Sequence, residues 1–154
     1  MEKLKILAII PARLGSKNIP MKNIQTINKK PIIAYAIKSA LDSNKINKIV
    51  VSTDSSKIAS ISKKYGVETP FLRPKKYSGS KSSTNSVVSH TLNYLSKNQQ
   101  YIPDIITILQ PTTPFRTSVD IDKSIKLLEK THATSVLGVT KMKRHPYKSF
   151  WLDN

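Results

Sequence analysis

The chain has 154 residues, 26 Lys and Arg against 9 Asp and Glu for a formal net charge of +17, and no cysteine. That length suits one domain able to bury a core without covalent staples. The lack of cysteine excludes a disulfide framework, a thiolate zinc site and thiol redox chemistry, and agrees with a reducing cytoplasm.

No stretch reaches the roughly 18 to 20 apolar residues that span a bilayer, so a soluble cytoplasmic chain without a membrane partner is expected. Two lysines precede the first apolar run, but the run is short and stops at Pro11 and Arg13, which reads as a buried strand rather than a signal peptide. A field of this sign attracts polyanions, whether nucleotides, nucleic acids or acidic surfaces. Because the lysines are scattered among Asn, Ser and Ile, as drift in an A/T-rich genome also produces, charge does not select among these.

In chain order, residues 5–10 form a short Ile-rich apolar run, read as a buried parallel strand. A helix beginning near Pro31 carries Ile33, Ile37, Ala40 and Leu41 on one face. A second strand at 48–53 precedes a helix with Ile58, Ile61 and Tyr65. The Ser-rich stretch 77–86 is either a flexible loop or a helix entrance. It leads to a helix with Val88, Leu92 and Leu95, a third strand at 104–109, a helix with Ile121, Ile125 and Leu128, and a fourth strand at 135–139. Residues 141–154 show no helical period and carry Phe150 and Trp151. Strands alternating with helices predict an α/β fold, a mainly parallel sheet with helices on both faces. Its ligands belong beyond the C-terminal ends of the strands.

The segments after Ile10, Val51 and Leu109 lie at those ends, and residues 72–86, between the second and the third, also carry candidate chemistry. Residues 11–23 contain Gly15 and Ser16, whose N–H groups can face phosphate oxygens, and Arg13 and Lys22, which supply a guanidinium fork and a point charge. The glycine spacing is neither that of a Walker loop nor that of a dinucleotide fingerprint, and the same composition suits a solvated basic loop. Residues 72–86 place Arg73 before a hydroxyl-rich helix entrance able to meet a base edge and a ribose. Residues 109–116 place Gln110 before Pro111 and Pro114, two prolines that fit a rigid turn. Thr53, Asp54 or Ser55 can cap the second helix, and Thr117 with Asp120 the fourth. Asp120 and Asp122 lie two apart and do not face each other, so helix-dipole stabilisation accounts for them without a metal.

The phrases Ala12-Arg13, Gly15-Ser16-Lys17, Ile19-Pro20 and Lys22-Asn23, with Leu72-Arg73-Pro74 and Gln110-Pro-Thr-Thr-Pro-Phe-Arg116, closely resemble the acylneuraminate cytidylyltransferase family over about residues 5–150. The resemblance implies a Rossmann-like nucleotidyltransferase fold in residues 1–140. It also implies that 141–154 begin an incomplete dimerisation arm, in a homodimer that handles no nucleic acid. The function implied is transfer of CMP from CTP to an acidic nine-carbon sugar, with release of pyrophosphate. Arg13 and Lys22 would act on the phosphates and serve catalysis, and Asn23 would touch the nucleotide. Arg73, Ser82 and Thr84 would recognise base and ribose, while Gln110 and Lys148 would meet the sugar, Lys148 in the other subunit. Ser80 departs from the family pattern, which carries Asp there. Mg²⁺ is implied, with a carboxylate pair beyond residue 154, so the chain alone is expected to bind CTP but to turn over poorly. Two alternatives stand beside this reading. One is a degenerate binding module, and the other a cytidylyltransferase for another sugar acid; the ketodeoxyoctonate branch fits less well because its loop after the third strand differs from 110–114.

Overall fold

A computed structural model describes residues 4–16 and 18–139. Strand β1 (Ile6–Pro11) leads through a hairpin of β2 (Thr26–Ile27) and β3 (Lys30–Pro31) into helix α1 (Ile32–Leu41). Strand β4 (Lys48–Ser52) and helix α2 (Ser56–Lys64) follow, then α3 (Thr84–Gln99), β5 (Ile105–Ile108) and α4 (Ser118–Thr131).

The continuous apolar run of β1 is buried throughout because a strand pairs on each of its edges. Leu7 lies beside Lys48 and Pro11 beside Ser52 on one edge, and Ile6 beside Ile105 on the other, all in parallel register. The sheet order is β4-β1-β5. The chain therefore steps outward to β4 and then returns across β1 to β5, which makes the C-terminal end of β1 a topological switch point.

Alternate residues of β1 feed two cores, as pleating requires. Ile6, Ala8 and Ile10 pack with Ile33 and Ile37 of α1, Ile58 of α2, and Ile121 and Ile125 of α4. Leu7 and Ile9 pack on the other face with Val50, Leu95 and the partly buried Phe71, Val88 and Leu92. Each such buried aliphatic side chain contributes about 1.5–3 kcal/mol. The expected α/β class, with helices on both faces of a parallel sheet, is the observed one.

Four details differ from the sequence reading. Residues 135–139 form no strand, and Leu137 and Val139 are 82 % and 86 % exposed. A strand exists only against a neighbour that takes its hydrogen bonds, and no described residue pairs there. Among the described residues the third strand is an edge, with a neighbour on one side only, and Ile106 and Ile108 are 37 % and 42 % exposed. Leu41, placed on the apolar face of α1, is exposed at the last turn. The β2–β3 hairpin had no apolar alternation to announce it; its two-residue turn has Asn28 and Lys29 at φ 48° and 62°, the pair of positive values that a type I′ turn needs.

The outer edge of β4 is covered by the chain that follows α2. Val51 N–H donates to the Glu68 carbonyl at 3.1 Å and Arg73 N–H to the Thr53 carbonyl at 2.6 Å. These bonds carry Arg73 to the C-terminal end of the sheet. At the opposite end, Lys5 N–H donates to Asp104 and Ile6 N–H to Asn47, both at 2.6 Å, so polar side chains replace the ladder partners the sheet lacks.

Candidate functional site

The loop leaving β1 is held by side chains rather than by a regular element. Ala12 N–H continues the ladder to the Ser52 carbonyl at 2.9 Å, and the next free donor, Leu14 N–H, reaches Asp54 Oδ1 at 2.8 Å. Met21 adopts the left-handed region at φ 50°, turning the chain into a 3-10 turn, Lys22–Ile24. Asn23 is buried there and its Nδ2 donates to the Arg13 carbonyl at 2.8 Å. The bond closes the loop on itself and leaves the Arg13 and Lys22 side chains for the cleft above β1.

A second wall comes from residues 73–84. Arg73 is only 5 % exposed, and its Nε donates to Ser78 Oγ at 3.3 Å. Burial lowers its pKa, the Asp54 charge works in the opposite direction, and Arg13 adds a further lowering. A guanidinium stays charged through shifts of this kind, so the wall keeps a pre-positioned, partly desolvated cation. Pro74 starts the 3-10 turn Lys75–Tyr77. Ser82 Oγ donates to the Lys76 carbonyl at 3.4 Å, and Ser83 caps α3 by accepting from Ser86 N–H at 3.2 Å. The Ser-rich stretch is thus the helix entrance, with Thr84 as the first helical residue.

The third wall follows β5. Leu109 N–H donates to the Ile9 carbonyl at 2.9 Å and Thr113 N–H to the Gln110 carbonyl at 3.3 Å. Gln110, Pro111 and Thr112 border the cleft, and Arg116 Nη2 donates to the Gln110 carbonyl at 3.5 Å.

The walls enclose a cleft of about 210 Å³. It brings together Arg13, Lys22 and Asn23 from the first loop, Arg73, Ser82 and Thr84 from the second, and Gln110 from the third. They come from the loops that leave β1 and β5 and from the segment that Arg73 ties to Thr53 beyond the end of β4, so the cleft lies at the switch point of the sheet. Lys148, the arm and Lys17 lie outside the described residues. Sequence reasoning missed Tyr77, which also lines the cleft; its signal was one aromatic residue in a run of Lys, Ser and Gly.

The capping readings divide as the geometry directs. Ser55 caps α2 by accepting from Ile58 N–H at 3.4 Å, while Asp54 is spent on the Leu14 amide. Thr117 and Asp120 form a reciprocal capping box on α4. Asp122 ties α4 to the end of α1 by accepting from Ser43 Oγ and Asn44 N–H. Among the described residues no three His, Asp or Glu side chains assemble a cation site. With Asp54, Asp120 and Asp122 already engaged in hydrogen bonds, the described residues do not fit a resident Mg²⁺.

Residues 7–149 match a family described as cytidylyltransferase. The chain is 38 % identical over 145 residues to a CMP-N,N'-diacetyllegionaminic acid synthase of Legionella pneumophila, covering 93 % of this chain and 61 % of that protein. It is 37 % identical over 127 residues to an N-acylneuraminate cytidylyltransferase of Escherichia coli, covering 82 % of this chain and 29 % of that one. The fold resembles a CMP:2-keto-3-deoxy-manno-octonic acid synthetase solved with CTP, at a TM-score of 0.69 and 22 % identity over 84 % of this chain and 49 % of the other. The chain spans less than two thirds of the length of each of these proteins.

Proposed function

Because the chain belongs to the cytidylyltransferase family, we propose that its cleft binds CTP as part of a transferase that moves CMP to an acidic nine-carbon sugar. The observation that carries this reading is the convergence of Arg13, Lys22, Asn23 and Arg73 on one cleft at the switch point of a parallel sheet. Two cations from the β1 loop suit a triphosphate. The Ser82 and Thr84 hydroxyls and the buried Arg73 suit the carbonyl and ribose of a pyrimidine nucleoside. Gln110, on the remaining wall, suits the sugar hydroxyls, and Lys148 its carboxylate from a second subunit.

The reaction is in-line attack of the sugar's anomeric hydroxyl on the α-phosphorus. The bond to the bridging oxygen breaks and pyrophosphate leaves. The chain's own part is positioning and neutralisation of charge: Arg13 and Lys22 offset the negative charge that grows on the phosphate oxygens. Mg²⁺ serves such chemistry through phosphates and one or two carboxylates. Its ligands would lie outside residues 4–16 and 18–139.

A homodimer is part of the same proposal, supported by the likeness of residues 144–148 to the start of a dimerisation arm. So is a cytoplasmic location, supported by the CTP pool the reaction draws on; no described helix is long and apolar enough to cross a membrane.

Calorimetric titration of CTP and of ATP into the purified chain, with and without Mg²⁺, tests the reading. Saturable binding of CTP in preference to ATP is the expected result. Absence of CTP binding, or equal binding of both nucleotides, overturns it.

A further inference from the structure

The cleft carries a side chain that neither phosphate binding nor hydroxyl recognition uses. Tyr77 is the one aromatic residue among the described cleft-lining residues, and its ring is braced from within the protein. The His90 ring lies against it with centroids 5.0 Å apart, and His90 in turn meets Phe71 edge-on at 4.7 Å. Phe71 packs against the core formed by Leu7, Ile9, Val50 and Leu95. The backbone is held as well: Tyr77 N–H donates to the Pro74 carbonyl at 2.9 Å and Ser78 N–H to the Lys75 carbonyl at 3.0 Å. Packing against His90 restricts the ring before any ligand arrives, which lowers the entropic cost of placing one against it.

We propose that Tyr77 is the stacking surface for the cytosine ring, an inference that rests on the reading of the cleft as a CTP site. The phosphates take Arg13 and Lys22 on the β1 loop. The base is left to the wall that holds Arg73, Ser82 and Thr84, and there Tyr77 supplies the aromatic ring. Every base has a π-face able to pack on such a ring. Lys76 Nζ stands 4.8 Å from the Tyr77 centroid on an exposed side chain. Its cation–π contact is of the weak, solvent-exposed kind, so an arriving base displaces it readily and frees an ammonium beside an anionic ligand.

The test compares wild type with Tyr77→Ala, Tyr77→Leu and Tyr77→Phe, titrating CTP and inorganic tripolyphosphate separately by calorimetry. Tyr77→Ala and Tyr77→Leu are expected to raise the Kd for CTP about tenfold, the size of one lost base stack. Tripolyphosphate affinity should stay unchanged, and Tyr77→Phe should bind CTP as wild type does. Leu keeps the apolar volume, so melting temperature reports separately on any loss of fold. Unchanged CTP affinity in Tyr77→Ala overturns the inference, as does an equal loss of tripolyphosphate. Wild type that binds tripolyphosphate but not CTP fells the CTP reading itself, and the two failures are told apart by that control.

Discussion

Asn23 and Arg13 are joined by a 2.8 Å hydrogen bond from the buried side-chain amide of one to the main-chain carbonyl of the other, across a loop with no strand or helix between them until the turn at Lys22. The bond sets where the Arg13 side chain starts. Asn23→Ala leaves that carbonyl unpaired and is expected to cost about 1–2 kcal/mol of stability, read from urea unfolding. CTP affinity should fall as well, because Arg13 and Lys22, the two cations of the β1 loop that line the cleft, lose their common anchor.

Arg73 is held by its backbone bond to Thr53 and by Ser78 against its Nε. A lysine offers neither the fork nor that geometry. Arg73→Lys is therefore expected to bind CTP about as poorly as Arg73→Ala, at least about tenfold below wild type. Wild-type affinity in Arg73→Lys would show that charge alone suffices.

His90 has a buried Nδ1 without a hydrogen-bond partner. Burial first, then the Arg73 and Lys76 charges, lower its pKa from the ordinary 6.5. The unfolded chain thus binds this proton more readily than the folded one, so stability is lost as pH falls below about 6.5. His90→Phe keeps an aromatic ring in the stack and removes the proton site. Its melting temperature should fall less than that of wild type between pH 7 and pH 5.5, and parallel curves would refute the assignment.

The Asp120 carboxylate accepts from the Thr117 main-chain N–H at 2.9 Å and from its hydroxyl at 2.8 Å. The backbone bond first, then the side-chain bond, hold its pKa below the ordinary 3.8. A carboxylate lowered this way stabilises the fold above its unfolded value and loses that contribution as pH drops through the folded one. Asp120→Ala should melt below wild type at pH 7, and the gap should close under more acidic conditions, as thermal scans at stepped pH will show.

Ile9 is fully buried between β4 and β5, whereas Ile108, its register partner on β5, is 42 % exposed. Ile9→Ala is expected to cost about 2–5 kcal/mol. Ile108→Ala in the same chain should cost less than about 1 kcal/mol. Chemical unfolding of both variants makes the comparison, and a similar loss from each would contradict an exposed edge at β5.

The elements with strong apolar period were legible from residues alone: β1 and β4 stand within one position of their expected bounds, α1 starts where expected, and α4 contains the expected apolar face. So were the caps at Thr117 and Asp120, because capping chemistry is local; residues 77–86 stayed open between a flexible loop and a helix entrance until the structure placed the cap at Ser83. Residues 135–139 were misread because an Ile- or Val-rich run shows strand propensity but not whether a partner strand exists. Asp54 was one of three candidate caps of the second helix; its bond to Leu14, 40 residues away, has no local signature.

By itself, the order of residues determined the α/β class and the segments at the strand tips, through periodicity that acts over a few residues. The resemblance of its short motifs to the acylneuraminate cytidylyltransferase family marked Arg13, Lys22, Asn23, Arg73, Ser82, Thr84 and Gln110 as candidates. Tertiary structure alone decided that these seven share one cleft, that Tyr77 joins them on a brace of His90 and Phe71, and that β5 is an edge. Each of these depends on segments far apart in the chain meeting around β1, and only the packing of its two faces determines which segments meet.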